Sequence, residues 1–351
     1  MTGPHLGGRG DLGELPTRLA RLGVAAIGPL AGGASSLTYR GVRNGCPVVV
    51  KVAPPGLPPV RHRDVLRQAR ILRALAPTAV PVPEVLLTDP GSPPEVPPLF
   101  VMTLMPGESI EPLFDLDGPA RGSDAPDGPT MGARMSAAAG VMADLHRIDL
   151  GAGGLDLGAG GLDLGAGGLD MGEEPVVDSD AEIERWCQLL RTVDATLVPG
   201  WEDLAAALRR TGPPAMGPAL VHGDFRLGNL LAAGECITAV VDWEIWTVGD
   251  PRVDAGWFLA NADPATYGRP TRYATPGMLP SVEALAADYA ATLGRAVAEL
   301  GWFIALARFK SAATWSLIVK HNRRRPTPDA DVEAMAPLLP RLLDQARKEV
   351  S

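Results

Sequence analysis

The sequence predicts an α+β protein in two lobes, a small sheet-rich lobe followed by a larger, mostly helical one. Three observations carry that expectation. The chain has 351 residues, room for about two units at roughly 100–200 residues each. Short β-branched runs bounded by turn residues crowd its N-terminal third, whereas apolar residues at helical spacing dominate the remainder. A hydrophobic content of 46% is enough for a full core, and the 41 Gly and 35 Pro confine disorder to local stretches.

Taken in order, residues 11–26 read as a short amphipathic helix, with Leu12, Leu15, Leu19 and Leu22 at helical spacing. A Gly/Ser turn at Gly32, Gly33, Ala34, Ser35 and Ser36 leads into β-prone residues ending at Tyr39. Pro47–Val52 is a β-branched run between Asn44-Gly45 and Pro54-Pro55-Gly56, so this part reads as strand, turn, strand. A helix is expected over 61–76, and strands over Val82–Leu87 and Leu99–Leu104. Met105-Pro106-Gly107 then breaks the pattern as a hinge would. After a polar loop at 117–130, a helix is expected from Ser136 to Ile148. Leu-Gly-Ala-Gly-Gly-Leu-Asp then repeats from Leu150, Leu157 and Leu164; its glycines oppose helix and strand alike, so 149–172 reads as a flexible Gly-rich loop. Beyond it come helical patterns at 180–194 and 200–210, short buried strands at Ala219–Val221 and Ala239–Val241, and helical stretches at 281–300, 301–320 and 329–349.

Charge and cysteine usage narrow the function classes. A net charge of -9 speaks against wrapping nucleic acid or an anionic membrane, and no basic stripe with interleaved aromatics is present. The longest apolar stretches, such as Trp302–Ala307, fall far short of the roughly 20 residues that span a bilayer. Met1–Gly10 has no apolar core of the kind a signal peptide needs. Three cysteines, Cys46, Cys187 and Cys236, lack the spacing of a disulfide framework or zinc site. The expectation is a cytoplasmic protein. A Walker-type loop is excluded because no lysine follows a glycine, and the Gly8–Gly13 match to a dinucleotide fingerprint has no preceding strand.

Lysine is rare: Lys51, Lys310, Lys320 and Lys348 stand against 28 arginines, and Lys51 is alone in the first 300 residues. The densest motif is His222-Gly223-Asp224-Phe225-Arg226-Leu227-Gly228-Asn229, with Asp224 and Asn229 five apart. That is the spacing at which a carboxylate can face an acceptor hydroxyl while an amide oxygen holds Mg²⁺. Eighteen residues past Asp224 stands Asp242-Trp243-Glu244, whose first carboxylate can complete a metal site that phosphate oxygens and water finish. Lys51, at a strand end, can reach phosphates, and the Gly32-Gly33 turn lets backbone N–H groups approach them.

On these residues the chain resembles the aminoglycoside-phosphotransferase/choline-kinase superfamily. His222-Gly223-Asp224 with Asn229 matches its catalytic signature; Asp242-Trp243-Glu244, Gly249-Asp250-Pro251 and Asp254 match its metal-binding signature. More narrowly it looks like the branch with kinase-like domains fused to some acyl-CoA dehydrogenases, on Gly32–Ser35 through Tyr39, Pro54-Pro55-Gly56, Val80–Pro83, Leu145-His146 and Glu184-Arg185-Trp186. The resemblance implies a bilobal protein-kinase-like fold. Residues 1–104 would form a small antiparallel-sheet, nucleotide-binding lobe, and 105–351 a larger catalytic and acceptor-binding lobe. It implies an ATP- and Mg²⁺-dependent phosphotransferase acting on a small-molecule hydroxyl, with Asp224 as base and Asn229 and Asp242 as metal ligands. Gly32, Gly33, Ser35, Ser36, Lys51, Gln68, Met102 and Leu104 would surround the nucleotide, while His222 and Asp254 brace the loop.

Two departures stand out. Gln68 occupies the place of the glutamate that pairs with the kinase lysine, leaving Asp64, one turn earlier, as a candidate substitute; Ser36 replaces a common Asn. Gln68 keeps open a second reading, a nucleotide-binding pseudokinase acting through a partner, and aminoglycoside phosphorylation is a minority option. Glu244 has no assigned role. Trp243, Trp246 and Trp257 read as core packing, and Lys320–Arg325 as a solvated helix end, with an anionic-substrate site as the alternative. The acceptor and the oligomeric state are not legible.

Overall fold

The alternating N-terminal third forms a five-stranded antiparallel sheet. The computed structural model describes residues 14–30, 36–112, 127–150, 175–267, 273 and 277–350; Gly32, Gly33, Ser35 and the repeat after Leu150 lie outside these. Helix α1 (Leu15–Arg21) precedes β1 (Val24–Pro29), β2 (Leu37–Arg43) and β3 (Cys46–Val52); helix α2 (Val65–Leu75), β4 (Val85–Asp89) and β5 (Leu99–Thr103) follow. The strand order is β1-β2-β3-β5-β4. Asn44 and Gly45, at φ 51° and 78°, make the turn between β2 and β3, where strand twist favours left-handed backbone at both positions. Alternation along β3 sends Val48, Val50 and Val52 into the cluster with α1, and Val49 and Lys51 toward α2. The helix expected over 11–26 ends at Arg21, because Gly23 at φ 75° turns the chain and the fully buried Val24 opens β1 instead.

Past β5 the chain crosses to the second lobe and is pinned there. Glu108 and Ala232 exchange backbone hydrogen bonds (3.0 and 2.9 Å). Gly107 sits at φ 107° against that backbone, where a Cβ would come 2.6 Å from the Ala232 carbonyl oxygen. Helix α3 (Gly128–His146) starts earlier than its apolar pattern suggests, because the Asp127 carboxylate caps it through Thr130 N–H at 2.9 Å. Then come β6 (Val176–Val177), α4 (Ser179–Leu190), α5 (Trp201–Thr211), β7 (Ala219–Val221), β8 (Leu230–Ala233), β9 (Cys236–Val240) and β10 (Thr247–Gly249). Strands β8 and β9 pair as a hairpin, and β10 lies between β6 and β7. The rest is α6 (Arg252–Ala262), α7 (Pro264–Tyr267), α8 (Val282–Leu293), α9 (Leu300–Asn322), α10 (Ala330–Glu333) and α11 (Leu339–Glu349). The helix expected over 281–300 stops at Leu293, where Gly294 at φ 76° ends it.

One apolar core runs from the α2 face of the sheet into α3, β7–β9, α6 and α8, so the lobes share packing across the crossing. A second core joins α4, α5, α9 and α11. Helices α6 and α9 belong to both regions and meet backbone to backbone. A Cβ at Gly256 would lie 2.5 Å from the Phe303 main chain, so glycine is what permits the approach. That crossing sets Trp257 and Lys310 beside the loop after β7.

Candidate active site

The 222–229 loop is held at nearly every peptide group. His222 is buried; its Nε2–H donates to the Val241 carbonyl (3.0 Å) while Nδ1 accepts Asp224 N–H (3.1 Å). Those partners fix the neutral tautomer, and burial pushes its pKa down. The Asp254 carboxylate, fully buried on α6, accepts the N–H groups of His222 (2.6 Å) and Gly223 (2.8 Å) and faces His146 Nε2 at 3.4 Å. Burial alone would raise its pKa, but the His146 contact and these N–H groups hold it below the usual range. Gly223 adopts φ 83°, and a Cβ there would lie 2.7 Å from the Ile245 carbonyl oxygen. A turn so confined aims the next residue, Asp224, in one direction.

Asp224 is surrounded by donors. Asn229 Nδ2 donates to its carbonyl oxygen (2.9 Å) and to Oδ2 (2.7 Å), Trp257 Nε1–H donates to Oδ1 (2.7 Å), and Arg226 Nε stands 3.3 Å from Oδ1. The Asn229 amide hydrogens face Asp224, so its carbonyl oxygen is the atom with lone pairs to offer a cation. Arg226 also reaches Glu111 Oε2 (3.4 Å), which accepts Gly228 N–H (3.1 Å). Burial pushes the Glu111 carboxyl up to about 7 against the pull of Arg226. Glu111, from the crossing segment, is thereby tied to the loop on the side opposite Asp254.

Asp242 joins this loop to the sheet lobe. Val241 N–H donates to the Asn229 carbonyl (2.9 Å), which sets Asp242 beside Asn229. Asp242 itself adopts φ 67°, a left-handed conformation uncommon outside glycine and typical of constrained functional positions. Its Oδ1 accepts from Lys51 Nζ at 2.9 Å, and Lys51 donates again to Gln68 Oε1 at 3.1 Å. The Lys51 charge holds the Asp242 carboxyl below the usual range. Helix α2 is clamped over the same turn by Arg67, which donates to the Trp246 carbonyl (2.9 Å) and lies 3.9 Å over its ring. Burial, with the Asp242 charge beside it, pushes Glu244 up to about 8.

The structure thus binds Lys51 to Gln68 and Asp242, binds Asn229 to Asp224, and brings the two groups together through Val241 N–H on the Asn229 carbonyl. Asp64 does not substitute for the missing glutamate. Its carboxylate caps α2 through Leu66 N–H (3.0 Å) and Arg67 N–H (3.1 Å) and faces Arg70 at 3.6 Å, spent on the helix end rather than on Lys51. Ser36 is buried with its hydroxyl unpartnered, as is the Gln68 amide nitrogen. Met102 is buried on β5, and Leu104 packs against the same core where the chain leaves the sheet. Trp243 and Trp246 are core residues as expected, but Trp257 is more than that, because its indole N–H is on Asp224. Sequence reasoning also missed Lys310, whose ammonium donates to the Gly223 carbonyl, and Glu111.

The donor set fits Mg²⁺ with a nucleotide. Among the described residues no group of three His, Cys, Asp or Glu converges to hold a metal unaided. One amide oxygen and one carboxylate suit an ion that keeps water and phosphate oxygens as its other ligands. The orphaned Ser36 hydroxyl, and the third N–H of a lysine held by Asp242 and Gln68, leave donors for phosphate.

Comparison with known proteins bears on family and fold. The sequence profile of the phosphotransferase enzyme family matches residues 26–302. Mouse acyl-CoA dehydrogenase family member 10 is 27% identical over 285 residues, 78% of this chain but only 24% of that protein, so the chain spans about a quarter of that relative. A crystal structure from Ralstonia eutropha classed with the aminoglycoside phosphotransferases superposes with a TM-score of 0.72 at 20% identity, covering 97% of this chain and 98% of that one. A thermostable variant of the aminoglycoside phosphotransferase APH(4)-Ia, bound to ADP and hygromycin B, gives 0.58 at 18% identity over 95% and 98%. At these identities the structural likeness establishes the fold, which is bilobal and protein-kinase-like.

Proposed function

Because this chain belongs to the phosphotransferase enzyme family, we propose that it moves the γ-phosphate of ATP, with Mg²⁺, to a hydroxyl of a small molecule. The observation that supports this best is the gathering of two hydrogen-bonded pairs, Lys51 with Asp242 and Asn229 with Asp224, by Val241 N–H on the Asn229 carbonyl. Residues 1–104 would form the nucleotide lobe and 105–351 the catalytic lobe, in a cytoplasmic protein. ATP with its metal supplies the phosphoryl group and neutralises its charge when bound. Lys51, Ser36, Gly32, Gly33 and Ser35 would hold phosphate oxygens, Asn229 and Asp242 the metal, and Met102 and Leu104 the base at the crossing. Gln68 holds Lys51 in place as a neutral acceptor.

At the acceptor end, Asp224 retains lone pairs on both carboxylate oxygens after accepting from Trp257 and Asn229, and one of them takes the hydroxyl proton late in transfer. The acyl-CoA dehydrogenase relatives suggest a hydroxylated acyl or other metabolic acceptor, with aminoglycosides the minority option. Gln68 favours a second reading, in which the fold binds nucleotide and acts through a partner. A screen of hydroxylated acceptors with γ-labelled ATP separates the two. Label transferred by wild type and lost in Asp224→Ala supports the kinase; nucleotide binding without transfer to any acceptor or to water supports the pseudokinase.

A further inference from the structure

Lys310 is 4% exposed on α9, in a helix buried nearly all round. Removing an ammonium from water costs several kcal/mol, and a methionine would fill similar space without that cost. The ammonium lies 3.7 Å from the Trp257 ring centroid and 5.5 Å from that of Trp186, and it donates to the Gly223 carbonyl. Its charge is therefore met by a peptide dipole, two indole faces and the nearby carboxylates of Asp224 and Glu182. Burial pushes its pKa down.

Two groups that touch this ammonium also act on Asp224. The Gly223 carbonyl belongs to the peptide bond leading into Asp224, and Trp257 carries the N–H bonded to Oδ1 at 2.7 Å. A cation on a ring face draws electron density from the indole, so its N–H donates more strongly. The close α6–α9 approach at Gly256 fixes the spacing of ring and ammonium.

We propose that Lys310 and Trp257 are a coupled pair of positioning residues for the Asp224 carboxylate. Lys310 locks the loop through Gly223 and holds the indole whose N–H orients Oδ1, so that Asp224 meets an acceptor hydroxyl with its geometry already set. The consequence for catalysis rests on the phosphotransferase reading; the coupling itself does not.

The test compares wild type with Lys310→Met, Lys310→Arg, Trp257→Phe and the Lys310→Met/Trp257→Phe double variant. Two quantities are read: the ¹⁵N–¹H indole resonance of Trp257, identified by its absence in Trp257→Phe, and γ-phosphate release from MgATP to water. Lys310→Met is expected to shift the indole resonance and to cut turnover by about 10²-fold, with KM for MgATP changed less than about threefold. Lys310→Arg recovers part of the rate, and the double variant loses no more than the worse single one, as coupled residues do. An unmoved resonance in Lys310→Met overturns the proposal, as do fully additive losses. Should Lys310→Met fail to fold, Trp257→Phe, which keeps a ring for the ammonium, decides: an unchanged rate overturns the pair. If wild type binds no MgATP, the phosphotransferase reading fails, and the resonance shift still decides the coupling.

Discussion

Lys51 and Lys310 are both buried ammonium groups in a chain with only four lysines against 28 arginines, and they are held in opposite ways. Lys51 faces a carboxylate at 2.9 Å and an amide oxygen at 3.1 Å, partners that a phosphate can replace or share. Lys310, 4% exposed, rests on a peptide carbonyl and indole faces inside the helical lobe. The first arrangement suits a charge that must engage a ligand. The second suits one that must hold a loop still. The two sides of the cleft therefore solve different problems with the same side chain: one stays negotiable and the other stays fixed.

The sharpest way to break this contrast is at the group both sides serve. Asp224→Ala is expected to lower phosphoryl transfer by about 10³-fold, with MgATP affinity within about threefold of wild type by calorimetry. A parallel loss of binding would mean that Asp224 belongs to the nucleotide side. Next in size, Lys51→Met should weaken MgATP binding by about 10–100-fold, the loss of a charge-assisted contact, where Lys310→Met leaves it nearly unchanged. Equal effects would erase the distinction.

On the fixed side, Asp254→Ala strips the His222 and Gly223 N–H groups of their acceptor inside the core. A loss of about 2–4 kcal/mol in urea unfolding is expected. The smallest effect concerns pH. Glu111, pushed from an ordinary 4.5 up to about 7, keeps its proton in the folded protein over a range where the unfolded chain has lost it. Its contribution makes stability fall as pH rises from about 4.5 through about 7, and adds no further slope above that. Glu111→Gln keeps an acceptor for Gly228 N–H and should flatten that slope, seen by comparing urea midpoints at about pH 5 and pH 8.

How much of this was legible in the sequence depends on distance along the chain. Asp224 and Asn229 sit in one loop and Asp242 follows after a single hairpin, so their spacing alone gathers them. The Asn44-Gly45 turn was equally local. Lys310 meets Gly223 across 87 positions, and Glu111 meets Gly228 across 117, contacts that only tertiary packing creates. Helix α6 escaped notice because it is buried on all sides and so shows no apolar stripe, which also hid Trp257 as a site residue. Asp64 misled because its i, i+4 position relative to Gln68 ignored its stronger use as a helix cap. Lysine scarcity marks Lys310 more weakly than Lys51, because Lys320 and Lys348 lie close to it in sequence.

On the proposed reading, Lys51, Asn229 and Asp242 frame a metal–nucleotide site. Calorimetric titration of ATP, with and without Mg²⁺, into wild type and Asp242→Ala tests it most directly. Binding is expected to require Mg²⁺ in wild type and to weaken at least about tenfold in Asp242→Ala. Failure of any nucleotide to bind wild type, or binding indifferent to both Mg²⁺ and Asp242, would contradict it.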